Sequence, residues 1–307
     1  MKTSVVISTK NNVGTIEQCV SSLMPYYKQG YISEIIIVDA HSTDGTLEVV
    51  KNYPVKLVFD EGRIYAIAID IGWRNAEGDP IIFLDADAYV GENFFPQVYG
   101  FFSDEQMGII GCQPKPVVTN RLTKAIGEQW AWSAELCEPS LSWFKRLYLR
   151  ILSGGYREPL PGGPCQVVRR ICLEAVDGFP HYSHNADLYL SQRIVEKGWK
   201  SAWWTDAPLY HYPRSTIKRL MRQYYRLGIE IGQSISLISS KEKSTKFNPR
   251  FERLLFIIGR LASVVVALML AIRFRNPTHL IIYPLSRYAG VIGYIVGCIG
   301  ARKSMKL

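Results

Sequence analysis

Asp85-Ala86-Asp87 sets two carboxylates two residues apart, directly after the apolar run Ile81-Ile82-Phe83-Leu84. The run is short and unbroken, so it reads as a buried β-strand. Side chains two apart on an extended segment point the same way. At the C-terminal end of a strand, that is where open α/β sheets hold their ligands. Hard carboxylate oxygens so placed suit a divalent ion that bridges to a diphosphate. Alone the triplet is weak, because about one Asp-x-Asp arises by chance in a chain this long. Two solvated loop carboxylates would be the default unless other residues agree.

The elements that must position these carboxylates alternate in type. Val5–Ser8 is a strand running into the polar loop Thr9-Lys10-Asn11-Asn12, and residues 15–28 carry Ile16, Cys19, Val20 and Leu23 at helical spacing. Glu34–Val38 is a second strand ending at Asp39, and Ser42-Thr43-Asp44-Gly45 is turn chemistry that can also cap a helix over 46–52. Val55–Phe59 and Ile81–Leu84 are further strands, with a helix over 64–77 between them. Strands alternating with helices predict a mostly parallel, doubly wound α/β sheet. Beyond it come a strand over Met107–Cys112, helical and aromatic-basic character over 121–152, and a Gly/Pro loop through Pro161-Gly162-Gly163-Pro164. Then follow a strand over Cys165–Arg169, a helix over 186–198 ending at Gly198, and a strand over Ala202–Trp204.

With 307 residues, 48% hydrophobic and 21% charged, the chain can bury a sizeable core. Its net charge of +9 suits a nucleic acid, an anionic membrane or a phosphorylated substrate equally. No nucleic-acid motif accompanies the charge, so nucleic acid is not expected as a partner. The six cysteines form no CxxC pair, which predicts reduced core residues and a cytosolic catalytic domain. The N-terminal apolar run is too short for a signal peptide.

Character changes after residue 212. Residues 215–238 read as a basic amphipathic helix, with Lys218, Arg219, Arg222 and Arg226 set against Ile217, Leu220, Met221, Tyr224, Tyr225 and Leu227. Two apolar segments follow, 254–272 and 280–299, each about the ~20 residues of a spanning helix. Twelve strongly apolar residues in the first, at about −0.4 kcal/mol each, outweigh about +2 to +3 for Arg260. The second, with Arg287, Pro284 and three glycines, comes out near zero. Bases flank the pair on both outer sides, which predicts a hairpin with the catalytic domain on the cytoplasmic face. A soluble hairpin, or one lying in the interface, is the alternative. The resulting division is 1–212 catalytic, 213–250 interfacial and 251–307 a hydrophobic, transmembrane helical hairpin.

Over roughly residues 3–230 the chain resembles the family 2 inverting glycosyltransferases of the GT-A fold. Three stretches in order carry the resemblance: Val5-Val6-Ile7-Ser8-Thr9-Lys10-Asn11, Ile37-Val38-Asp39-Ala40-His41-Ser42-Thr43-Asp44-Gly45-Thr46 and Phe83-Leu84-Asp85-Ala86-Asp87-Ala88. The resemblance implies a GT-A fold and a nucleotide-diphosphate sugar donor. It further implies nucleotide contacts from Thr9, Asn11, Asp39 and Asp44, and a basic donor contact from Arg63. Asp87 becomes the Mg²⁺ or Mn²⁺ ligand, Asp85 a ribose or metal-water contact, and His211 a further metal or diphosphate contact. Inversion requires a base for the acceptor hydroxyl, and the family's spacing to Arg193 and Gly198 makes that Asp187. Ala186 stands where the family usually has Glu, which puts acceptor geometry in doubt.

The function so implied is metal-dependent transfer of a sugar to a lipid-linked or membrane-proximal acceptor. Alternatives are a non-catalytic nucleotide-sugar-binding subunit of the same fold, or a nucleotidyltransferase. Arg169-Arg170 could bind an acceptor phosphate or be a solvated pair. Gln223-Tyr224-Tyr225-Arg226 resembles an element of polymerising relatives, which the amphipathic helix explains equally well.

Overall fold

A computed structural model describes residues 2–61, 64–135, 160–180, 186–241 and 263–304. Its contacts group the chain into two units. One holds Met1–Lys115 with Leu160–His211, and the other Pro116–Pro159 with Tyr212–Leu307. Residues 116–135, which lie inside the 1–212 division, thus cluster with the C-terminal helices.

The first unit is built on seven strands in the order β3-β2-β1-β4-β8-β6-β9. They are β1 (Thr3–Thr9), β2 (Ile32–Asp39), β3 (Lys56–Phe59), β4 (Ile81–Asp85), β6 (Met107–Cys112), β8 (Cys165–Val168) and β9 (Lys200–Trp204). Only β8 runs against its neighbours; the other six are parallel, as the alternation of elements predicts. Both faces are covered, so the middles of the central strands are apolar on both faces, Val5–Ile7, Ile35–Val38 and Ile81–Leu84. Val5, Ile7, Ile35, Ile37, Ile82 and Leu84 face α1 (Ile16–Lys28) and α4 (Phe94–Phe101). Val6, Ile36, Val38, Ile81 and Phe83 face α3 (Tyr65–Arg74), α6 (Arg170–Ala175) and α7 (Ala186–Glu196). The remaining helix of this unit is α2 (Thr46–Val50). Cys19, Cys112, Cys165 and Cys172 are buried and unpaired, as the absence of paired spacing predicts.

Topology reverses at β1, with β2 on one side and β4 on the other. The ends of these three strands, Thr9, Asp39 and Asp85, therefore open onto the crevice where such sheets bind ligands. Sequence periodicity missed a second, three-stranded sheet, β5 (Ala88–Val90), β10 (Leu209–His211) and β7 (Lys115–Pro116), in the order β5-β10-β7. Strands of two or three residues are too short to carry a period.

The loop entering the segment before α7 is clamped from below. Buried Asp70 accepts from Trp73 Nε1 at 2.6 Å, Phe179 N at 3.2 Å and Arg74 Nε at 2.9 Å. Gly178 has φ +67°, and a Cβ there would stand 2.3 Å from Asp70 Oδ1. Gly178→Ala should cost roughly 3 kcal/mol through positive φ and a displaced buried carboxylate. A thermal melt checks this, with Tm expected to fall by roughly 6–12 °C.

Arg169 and Arg170 are neither phosphate ligands nor a solvated pair. Arg169 donates to the carbonyls of Met107, Phe102 and Asp104, and Arg170 to those of Ala76 and Gly78. Both guanidiniums satisfy turn carbonyls at the ends of neighbouring elements, which residue type alone does not reveal.

In the second unit, α5 (Arg121–Glu135), α8 (Ile217–Lys241), α9 (Ser263–Arg273) and α10 (His279–Ser304) pack together. A Cβ on Gly228 would meet Gly290 O at 2.0 Å. Cβ atoms on Gly293 and Gly297 would meet Tyr225 O and Ile229 O at 2.0 and 2.1 Å. These glycines let the backbones of α8 and α10 touch, and the rising pairs make the helices parallel. Of the apolar segment 254–272, the part before Ser263 lies outside the described residues. Among the described residues one helix, His279–Gly297, is long and apolar enough to cross a membrane. The α9–α10 turn is tied to α5: Glu128 Oε2 accepts from Asn276 Nδ2 and meets His279 Nε2, each at 2.8 Å, and Arg273 pairs with Glu135 at 2.7 Å.

Candidate active site

Asp85 ends β4, and Asp87 lies two residues on, just before β5. The antiparallel register His211↔Ala88 between β10 and β5 delivers His211 to Asp87 from more than a hundred residues away. His211 Nε2 stands 3.0 Å from Asp87 Oδ1, with both side chains mostly buried. One ligand atom each from Asp85, Asp87 and His211 lies within 4.8 Å of the others. Two hard oxygens and an imidazole fit Mg²⁺ or Mn²⁺. The electrostatics agree: burial, then the neighbouring Asp87 charge, hold the Asp85 carboxyl well above the usual carboxylate range. A divalent cation would remove that penalty.

Tyr65 at the start of α3 donates its hydroxyl to Asp85 Oδ1 at 3.2 Å. Although the residue is 46% exposed, desolvation at its hydroxyl end and then the Asp85 charge raise its phenol above its ordinary value. Neither Tyr65 nor its contact is legible in the sequence.

Asp187 opens α7. Its Oδ2 accepts from Gly163 N at 2.9 Å, and its carbonyl accepts from Gln166 Nε2 and Ser191 Oγ. Its charge also acts on Asp85 and on Tyr65. The loop Pro161–Pro164 joins the two halves of the site: Pro164 O accepts from Asp85 N at 2.8 Å, while Gly163 N holds Asp187. Pro161 O in turn accepts from Gln166 Nε2 and from Ser191 Oγ, both buried. Ala186 is buried in the core beside Leu190. Arg193 bonds the carbonyls of Val176 and Gly178, so it fixes a loop.

The nucleotide-side residues also gather, but several face one another. Asp39 is buried and accepts from Ser42 N at 2.7 Å and Ser42 Oγ at 2.6 Å. Asn11 Oδ1 accepts from Thr43 N, and Asp44 accepts from Val13 N and Thr46 N. Thr46, Val13 and the Asp44 backbone hold the Asp44 carboxyl below its ordinary value. Thr9 Oγ1 accepts from Asn12 Nδ2. These bonds lock loop 9–13 to loop 42–46 and form one wall of the crevice. Next to Asp39, which pairs in register with Phe59, the rings of His41 and Phe59 stack at 5.5 Å and 12°. Sequence reasoning missed this pair; the one signal was an apolar residue at a strand's ligand-facing end. Arg63 lies outside the described residues.

Residues 4–176 match the profile of glycosyl transferase family 2. An O-antigen chain rhamnosyltransferase of Salmonella anatum is 23% identical over 207 residues, covering 64% of this chain. The chain spans 62% of that protein's length, which is less than two thirds. A Methanococcus voltae dolichyl N-acetyl-glucosaminyl phosphate diacetamido-glucuronosyltransferase is 24% identical over 247 residues, 76% of this chain and 73% of that protein. A mannosyltransferase of Pyrobaculum calidifontis, solved with GDP-Man and Mn²⁺, has a TM-score of 0.56 at 18% identity, covering 100% of this chain and 88% of its own. Residues 1–349 of Staphylococcus aureus TarS with UDP-GlcNAc give 0.54 at 16%, covering 99% and 92%. At these identities the structural likeness establishes the fold, a GT-A-type α/β sheet.

Proposed function

This chain belongs to glycosyl transferase family 2, and on that premise we propose that it is a metal-dependent inverting transferase. It moves a sugar from a nucleoside diphosphate donor to a membrane-proximal acceptor. The observation that carries the reading is the loop Pro161–Pro164, whose neighbouring residues bond both carboxylate positions, Pro164 O to Asp85 N and Gly163 N to Asp187. It supports a donor site and a base held at fixed separation.

In this reading the Asp39, Thr9 and Asn11 wall, with the His41–Phe59 stack and Arg63, receives the nucleoside. Asp85, Asp87 and His211 hold the ion, which when bound neutralises charge developing on the leaving diphosphate. Asp187 Oδ2 is engaged by Gly163, which leaves Oδ1 for the acceptor hydroxyl. As the hydroxyl oxygen bonds the anomeric carbon, the bond to the diphosphate breaks, and its electron pair leaves with the diphosphate. The hydroxyl proton passes to Asp187. Nucleotide release from UDP-, GDP- and dTDP-sugars, measured with Mn²⁺, Mg²⁺ or EDTA, tests the reading. Metal-dependent release from one donor class is expected; a folded protein that turns over none of them would contradict it.

The exposed residues of the second unit support membrane association, with α8–α10 lying in the interface. Val265, Leu268 and Ile272 of α9 and Ile281, Ile292 and Ile295 of α10 are each at least half exposed. Lys218, Arg219, Arg222 and Arg226 are exposed along α8. Because α8 runs parallel to α10, a spanning α10 would carry Arg226, level with Gly290, deep into the hydrocarbon, at about 2.5–3.5 kcal/mol per charge. In the interface plane those bases would instead meet anionic headgroups, at about 1 kcal/mol each. Vesicle flotation checks this. Binding should require anionic lipid and reverse in high salt or carbonate, whereas retention after carbonate would indicate a spanning helix.

A further inference from the structure

We propose that Trp203 is the platform on which the acceptor lies, and that the acceptor offers Asp187 a hydroxyl on a sugar ring rather than a phosphate. This rests on Asp187 being the base. Alternation along β9 sends Trp204 into the core against Phe94 and Phe101, and Trp203 to the opposite face. There its cross-strand partner is Gly111. A Cβ on Gly111 would stand 2.6 Å from Trp203 Cζ3 and 2.8 Å from Cε3, so only glycine lets the indole lie across β6. Nε1 donates to Gln113 Oε1 at 3.2 Å, which fixes the ring's rotation.

The same ring reaches the loop that holds the base. Trp203 Cη2 is 4.0 Å from the Cβ position of Gly163, whose N–H holds Asp187. A Cβ on Gly162 would meet Asp187 Oδ2 at 2.9 Å and Leu188 Cδ2 at 2.7 Å. Two glycines in a row therefore have a carboxylate on one side and a half-buried, immobilised indole on the other. A flat apolar ring beside a proton acceptor suits the C–H face of a pyranose, with its hydroxyls directed to the carboxylate.

Charge points the same way. Among the described residues, Arg169, Arg170 and Arg193, the arginines beside this loop and the base, all donate to backbone carbonyls. A phosphate acceptor would meet the Asp187 carboxylate as a like charge. With its second pKa near 6 it is already largely ionised at neutral pH, so it has no use for a base. A sugar hydroxyl requires one.

The test uses the full chain with the donor found by nucleotide release, in Mn²⁺. Decyl glycosides (glucoside, galactoside, mannoside, N-acetylglucosaminide) are compared with decyl phosphate. At least one glycoside, and not the phosphate, should accelerate nucleotide release. Trp203→Ala should raise the KM for that glycoside roughly tenfold with kcat little changed, and Trp203→Phe should recover most of it. Acceleration by decyl phosphate, or by none of the compounds, overturns the proposal. So does a Trp203→Ala variant that loses kcat at unchanged KM, which would mark Trp203 as a loop support. If Asp187→Asn transfers to a glycoside at the wild-type rate, the base reading fails instead; if the wild type turns over no donor, the proposed transferase activity does.

Discussion

Asp187→Asn should retain donor and metal binding while transfer falls by roughly 10²- to 10⁴-fold, the usual contribution of a positioned general base. The substitution keeps size and an oxygen that can accept from Gly163 N, so the Pro161–Pro164 loop and its bond to Asp85 should stay in place. What is lost is proton affinity at the attacking hydroxyl. Steady-state transfer measured beside nucleotide binding separates the two effects. A non-catalytic binding subunit would lose nothing, since it has no turnover to lose. A fall in donor affinity equal to the fall in rate would mean that Asp187 holds the site together and is not its base.

Asp87→Ala should have the other large effect. Asp87 contacts His211 directly and shares the ligand cluster with Asp85, so its removal leaves two of three ligands and takes away the acceptor facing His211 Nε2. An ion at a leaving group supplies several kcal/mol, and about 1.4 kcal/mol is tenfold in rate. Metal-stimulated turnover should therefore fall at least about 10³-fold. The metal-free variant should still fold, because the change also removes the like charge that helps push up the Asp85 carboxyl. Turnover at saturating Mn²⁺, together with a melt in EDTA, checks both parts. Unchanged metal stimulation would remove Asp87 from the site.

How much of this was legible in the sequence depends on which atoms make each contact. Asp85 and Asp87 were readable because four apolar residues before them fix a strand and hence its end. Asp39 was readable for the same reason after Ile35–Val38. His211 could be named through the family resemblance, but its delivery depends on β10, three residues long and without a period of its own. The Pro161–Pro164 loop read only as a break, because its bonds to Asp85 and Asp187 run through Pro164 O and Gly163 N, and backbone atoms are the same in every residue. Arg169 and Arg170 misled in the opposite sense: their type suggests an anion, while turn carbonyls take their donors. Asn11 and Asp44 carry polar groups in the expected loop, yet their observed bonds lock it to its neighbour. Trp203 was hidden because its geometry depends on a glycine across the sheet, at Gly111.

The most direct test of the central claim, that Asp85, Asp87 and His211 form the donor's metal centre, is an electron paramagnetic resonance titration of Mn²⁺ with the intact protein and the matching nucleoside diphosphate. The account predicts that nucleotide sharply increases bound Mn²⁺ to one ion per chain in the wild type, and that Asp87→Ala abolishes the increase. Equal Mn²⁺ uptake by wild type and Asp87→Ala, with nucleotide bound to both, would contradict it and move the metal elsewhere.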